Sequence, residues 1–131
     1  MSENMNRCTY MKGSVMEHHE ITPIDKERFN ELMANPDIVA EVTLIFDALR
    51  DKTRLKILAD LMMGEKNVSE LQENANVSQS AVSHQLRLLR DRGLVVARRQ
   101  AQKTYYSLAD EHVYEMIMLG IEHGAEPFES R

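Results

Sequence analysis

Tryptophan is absent from this 131-residue chain, cysteine occurs once, proline three times and glycine five times. A single cysteine, Cys8, excludes a disulfide within the chain and fits a reducing compartment, so the expected location is cytoplasmic. So little Gly and Pro leaves too few turns for an all-β protein. Long apolar runs are missing too. No stretch approaches the roughly 20 residues that span a bilayer, and the N-terminus lacks a signal-peptide core, so no membrane partner is expected. What is present, 43% hydrophobic and 28% charged residues, is ordinary for a globular chain of one domain whose stability a dimer interface can supplement.

An excess of positive charge is also lacking, since the formal net charge is −5. That total argues against nucleic acid until its distribution is read. Between Val82 and Lys103 stand Arg87, Arg90, Arg92, Arg98, Arg99 and Lys103 against Asp91 alone, a local +5 that leaves −10 on the rest. A basic segment on an acidic body meets phosphate in one orientation and discourages sticking elsewhere.

Residues 1–20 show no lasting periodicity and are expected to be a flexible tail ahead of a domain spanning 21–131. A first helix is predicted after Thr22 as N-cap and Pro23, running to about Asn35. Pro36 opens a second, with Ile38, Val42, Ile45 and Leu49 at helical spacing. A third, in "DKTRLKILADLMMGE", carries Leu55, Leu58 and Met62 as its stripe and ends at Gly64. The next stretch, "NVSELQENANVSQSAVSHQLRLLRDRG", reads as a short helix from about Ser69 to Ala75, a turn at Asn76 to Ser78, and a helix from about Gln79 to Asp91 stopped by Gly93. Val82, Leu86 and Leu89 face inward, leaving Gln79, Ser80, Ser83, His84 and Arg87 outward. This is helix-turn-helix grammar.

After Gly93, apolar and β-branched residues flank "RRQAQK", which predicts a hairpin with a basic tip, a wing. The fold class is therefore mainly α with a small β-hairpin, a winged helix-turn-helix. Gln and Arg suit adenine and guanine edges in a major groove, and Ser bridges to base or phosphate. His84 either contacts DNA or caps the face. Arg98, Arg99 and Lys103 are cast as phosphate contacts from the wing. A merely solvated helix face explains the polar residues equally well by themselves; the spacing, the local charge and the adjoining basic hairpin together favour double-stranded DNA.

"IFDALRDKTRLKIL" and "SQSAVSHQLRLLRDRGLV" resemble the ArsR/SmtB family of winged-helix metal-sensing repressors, and the resemblance runs from about Ile38 to Glu126. It implies a homodimer on an imperfect inverted-repeat operator, released when metal binds. Many members carry Gly at the wing tip, where "RRQAQK" has none.

The last predicted helix, from about Ala109 and fraying near Gly124 to Pro127, contains "DEHVYEMIMLGIEHGAE", with Asp110 and His112 at one end and His123 and Glu126 at the other. Thirteen residues at 1.5 Å each separate Asp110 from His123 by roughly 20 Å, so one ion cannot touch both. Each pair is close by itself, and an antiparallel second copy of the helix would complete two equivalent sites per dimer, with Val113, Met116, Ile117 and Leu119 to Ile121 as the contact between. Two imidazoles and two carboxylates suit Zn²⁺, with Co²⁺ a plausible substitute. A capping box at Ser107-x-x-Asp110, or complementing of the helix dipole by Asp110 and Glu111, explains part of the pattern without metal. The resemblance implies the metal reading, because D-x-H-x10-H-x-x-E matches the terminal-helix zinc site of SmtB-like sensors at all four positions.

A second metal site of the family uses a "CVCD"-type stretch. Here it reads "NVSEL", with Asn67 and Glu70 at the corresponding places and no thiolate. Cys8, His18 and His19 are the remaining ligand types, on the tail. The expected function is a zinc-responsive transcriptional repressor; the alternative is a regulator of the same fold responding to another metal or to a non-metal signal. No H-E-x-x-H or comparable catalytic set occurs, so no enzyme is expected.

Overall fold

The computed structural model describes residues 24–127. The tail with Cys8, His18 and His19, and the predicted cap at Thr22 and Pro23, lie outside the described residues. The described residues divide into two units, the first ending at Val39 and the second beginning at Ala40. In the first, helix α1 (Lys26–Met33) begins later than predicted. Asp25 is its N-cap, with a side chain that accepts from the Glu27 N–H. An acidic cap immediately before a Lys-Glu first turn is the stronger local signal, since it satisfies an orphan N–H directly. Helix α2 (Pro36–Leu49) opens at Pro36 as predicted, with Asn35 accepting from the Asp37 N–H.

Within the second unit follow α3 (Lys52–Leu61), β1 (Lys66–Asn67), α4 (Val68–Ala75), α5 (Gln79–Asp91), β2 (Val95–Gln100), β3 (Lys103–Leu108) and α6 (Glu111–Gly124). The strands form an antiparallel sheet in the order β1-β3-β2, the two-residue β1 having no counterpart in the sequence reading. The core gathers Ala48, Ile57, Leu58, Leu61, Leu71, Val82, Leu86, Leu89, Leu94, Val95, Val113 and Ile117. Two predicted stripes are corrected. On α3 the buried set is Ile57, Leu58 and Leu61, whereas Leu55 is exposed, because the core lies on the side toward α4 and α5. On α2 only Ala48 is buried, beside half-buried Ile45 and Leu49, while Val42, Leu44 and Phe46 stay exposed. No helix among the described residues is long and apolar enough to cross a membrane.

The helix-turn-helix is shaped by its caps. Asn67 and Glu70 form a capping box at the start of α4, satisfying each other's backbone N–H groups. Asn76 ends α4 in the left-handed region (φ 59), which Asn tolerates through its short polar side chain. Ser78 caps α5 by accepting from the Ala81 N–H. At the far end, Gly93 (φ 74) permits a Schellman closure, with Gly93 N–H donating to Arg90 O and Leu94 N–H to Leu89 O. That closure turns the chain from α5 straight into the wing.

The wing closes through Ala101 and Gln102. Ala101 takes φ 56, a conformation that costs an L-residue about 1 kcal/mol or more and that glycine adopts without penalty. The missing tip glycine thus leaves the hairpin intact but strained. Ala101→Gly should therefore raise stability by about 0.5–1 kcal/mol. Thermal denaturation checks this, and an unchanged or lowered midpoint would show that Ala101 is not strained.

Candidate functional site

α5 is the element on which the polar face stands. Val82, Leu86 and Leu89 are fully buried beneath it, as the spacing predicted. With that side anchored, Gln79, Ser80, Ser83, His84 and Arg87 are brought together around an open concavity of about 540 Å³. Ser80 Oγ also lies 3.3 Å from the capping Ser78 Oγ, which ties the first turn of the polar face to the helix cap.

Sequence reasoning did not find the device that seats α5 against the helices before it. Arg54 Nε donates to Ala48 O at 2.8 Å and Nη2 to Asp47 O at 3.3 Å, satisfying carbonyls at the end of α2. Its Nη1 donates to Gln85 Oε1 on α5 at 3.2 Å. One guanidinium therefore joins α2, α3 and α5. Nothing local in "DKTRLKIL" announces a contact 31 residues away.

The wing divides its cations between two faces. Successive strand residues alternate sides. Val95 is buried in the core with Leu86 and Leu89, so Ala97 and Arg99 share the side on which α5 lies. Val96, Arg98 and Gln100 occupy the reverse side, where Val96 is 50% exposed. Arg98, expected on phosphate, is engaged within the chain. Its Nε and Nη2 each donate to Glu65 at 2.7 Å, its Nη1 donates to Gln100 Oε1 at 2.6 Å, and it lies 5.1 Å over the Tyr105 ring. Three of the five N–H groups of Arg98 are thus spent inside the chain, the Nε–Nη2 edge wholly on Glu65. The Arg98 hydrogen bonds hold the Glu65 carboxyl below the usual glutamate value and raise the guanidinium in turn. Because the carboxyl is depressed, whatever this pair contributes is present throughout the neutral range and is lost only as pH falls through that lowered value. The side chains of Arg99 and Lys103 make no hydrogen bond or ion pair with the described residues.

On α6 the four metal-ligand candidates form two pairs at opposite ends. Asp110 is the N-cap, its Oδ1 accepting from the Val113 N–H at 3.1 Å, and its Oδ2 is 3.8 Å from His112 Nδ1. The N-cap is thus Asp110 and not Ser107, which corrects the capping box considered there. At the other end the helix stops at Gly124, but Glu126 N–H donates to His123 O, and Glu126 Oε1 sits 3.4 Å from His123 Nδ1. The backbone keeps turning after Gly124 and folds Glu126 onto the imidazole. Both imidazoles are solvent-facing, His112 at 90% and His123 at 72% side-chain exposure. Among the described residues of one chain, no three His, Cys, Asp or Glu side chains gather into a group able to hold a metal. The donor types fit a divalent transition metal, two to each half-site.

The apolar stretch between the pairs is not all available to a partner. Val113 and Ile117 are buried in the chain's own core, leaving Tyr114, Leu119 and Ile121 exposed.

Residues 51–96 match the family model described as bacterial regulatory protein, arsR family. The chain is 41% identical over 87 residues to a transcriptional repressor SmtB homolog of Synechocystis, covering 66% of each chain, just under two thirds of that relative's length. It is 44% identical over 84 residues to the HTH-type transcriptional regulator NmtR of Mycobacterium tuberculosis, covering 64% of this chain and 70% of the relative. Its fold is similar to that of a homodimeric winged helix-turn-helix DNA-binding domain from Mycobacterium bovis, with a TM-score of 0.68 and 25% identity over 85% of this chain and 96% of that one.

Proposed function

From a chain that belongs to the ArsR family of bacterial winged-helix transcription regulators, we propose a zinc-responsive repressor that binds an inverted-repeat operator as a homodimer and loses affinity when metal occupies its terminal helices. The observation that carries the metal reading is the division of α6 into two prepaired half-sites, Asp110 with His112 and His123 with Glu126, about 20 Å apart by helix rise. Neither half can enclose an ion. A second α6 running antiparallel supplies the missing half at both ends.

Zn²⁺ bound there would act as a cross-link between protomers and not as a catalyst, because four protein ligands close its coordination. The chain's own residues do the rest. Asp110 uses one oxygen to cap α6 and faces His112 with the other, so the half-site is anchored to the helix start. Exposed Tyr114, Leu119 and Ile121 on α6 and Val42, Leu44 and Phe46 on α2 provide apolar surface for dimer contact. Gln79, Ser80, Ser83, His84 and Arg87 face the major groove, with Arg99 and Lys103 on phosphate. The two recognition helices must sit about 34 Å apart to enter successive grooves, and a metal cross-link that changes this spacing weakens DNA.

Fluorescence anisotropy of the dimer on an operator duplex, with and without stoichiometric zinc, tests the proposal. Zinc should weaken the complex. Affinity unchanged by zinc would remove the sensor reading and leave DNA binding standing, and the same titration with Co²⁺ and other divalent ions reads out which metal the site prefers.

A further inference from the structure

We propose that Arg98 is not a phosphate contact but one half of a strap, with Glu65, that crosses the reverse face of the sheet and fixes the angle at which the wing presents Arg99 to DNA. This rests on the DNA-binding reading above.

Three observations carry it. The first is topology. β3 lies between β1 and β2, and Tyr105 of β3 is the register partner of both Asn67 on β1 and Arg98 on β2. Glu65, two residues ahead of Asn67, shares its side of the pleat. The Glu65–Arg98 bridge therefore passes over the central strand, with Tyr105 beneath the guanidinium at 5.1 Å.

The second is engagement. Nε, Nη1 and Nη2 of Arg98 all donate within the chain, two of them as a fork onto one carboxylate, the geometry that holds guanidinium most firmly. The third is direction. Arg98 stands on the face away from α5, whereas Arg99 stands on the α5 side and is unengaged by the described residues. The wing's adjacent arginines thus divide the work. One positions the hairpin on the body of the domain through Glu65, and its neighbour is left for the nucleic acid.

The division has a thermodynamic signature. Each cation that neutralises a phosphate releases counterions and contributes about 0.9 to the slope of log affinity against log salt, while a residue that only positions the wing contributes nothing to that slope. Glu65→Ala, Arg98→Ala, the double variant and Arg99→Ala are compared with the unmodified full chain by anisotropy on the operator duplex across a salt series. Circular dichroism confirms that each remains folded, as expected for a solvent-exposed pair.

Glu65→Ala and Arg98→Ala should each weaken binding about fivefold with the slope unchanged, and the double variant should be no worse than either, because both remove the same link. The Glu65→Ala result is the sharper one. That variant makes the protein more positive, so simple charge attraction predicts tighter binding. Arg99→Ala should flatten the slope by about 0.9.

The strap is overturned if Arg98→Ala flattens the slope as Arg99→Ala does, if Glu65→Ala tightens binding, or if neither single variant changes affinity. These results leave DNA binding intact. Failure of the unmodified chain to bind duplex DNA overturns the repressor reading and the strap together.

Discussion

His123→Ala should abolish the zinc response while leaving metal-free operator affinity within about twofold of the unmodified protein, against a zinc effect in the latter of about 5- to 150-fold, the usual range of allosteric coupling. His123 is the better probe of the four ligands for a structural reason. Asp110 caps α6, so its removal costs about 1 kcal/mol of helix stability whatever it does to metal. His123 is 72% exposed on the last turn, outside the buried core. Its loss takes a nitrogen donor from each of the two proposed sites and leaves the proposed DNA-binding face of α5 untouched. Reciprocity gives a second reading of the same coupling: operator DNA must weaken zinc by the factor that zinc weakens DNA. Anisotropy measures one side and a competing metal indicator the other. A His123→Ala dimer that still releases DNA on zinc addition would show that the metal acts elsewhere.

Two neighbours on α5 should respond in opposite ways. Leu86→Ala should lower stability by about 2–5 kcal/mol, because a fully buried leucine at the centre of the core leaves a cavity that the surrounding helices fill only in part. Arg87→Ala should change stability by less than about 0.5 kcal/mol, since its side chain opens onto the concavity with Gln79, Ser80, Ser83 and His84. Its cost falls on binding instead, about 1–3 kcal/mol if it reads a base edge. One residue along a helix is a rotation of about 100°, enough to carry a side chain from the core to the groove-facing side. Urea denaturation and operator titration of both variants separate the effects. Equal loss of DNA affinity in Arg87→Ala with a matching fall in stability would mean that the residue supports the fold and not the interface.

The elements of the helix-turn-helix were legible in the chain because their signals are local. α5 runs over the predicted residues, with Ser78 capping its start and Gly93 closing its end, and both act within five residues of where they stand. The buried triad Val82, Leu86 and Leu89 follows from helical period alone. The pairing of His123 with Glu126 was likewise readable, because i, i+3 residues are neighbours on a helical turn, while that of Asp110 with His112 depends on the extended backbone of Asp110 as N-cap.

Where the reading fell short, the deciding contact was distant. The α2 stripe promised a buried face, but within its own unit only Ala48, Ile45 and Leu49 reach the core. Period identifies which residues share a side and not what covers that side. On α6, helical pattern could not separate Val113 and Ile117, taken by the chain's own core, from Leu119 and Ile121, left exposed. Strand β1 is two residues long, too short for any alternation, and exists because β3 offers an unpaired edge.

Arg98 shows the difference most plainly. In "RRQAQK" it is indistinguishable from Arg99, and composition alone assigns both to phosphate. The pleat turns the two to opposite faces, and a carboxylate 33 residues earlier in the chain closes on one of them. Caps, periods and charge runs determined where the helices and the wing would form, because those interactions are made between near neighbours. Which of two adjacent cations is spent inside the protein was decided only when folding brought Glu65 across the sheet.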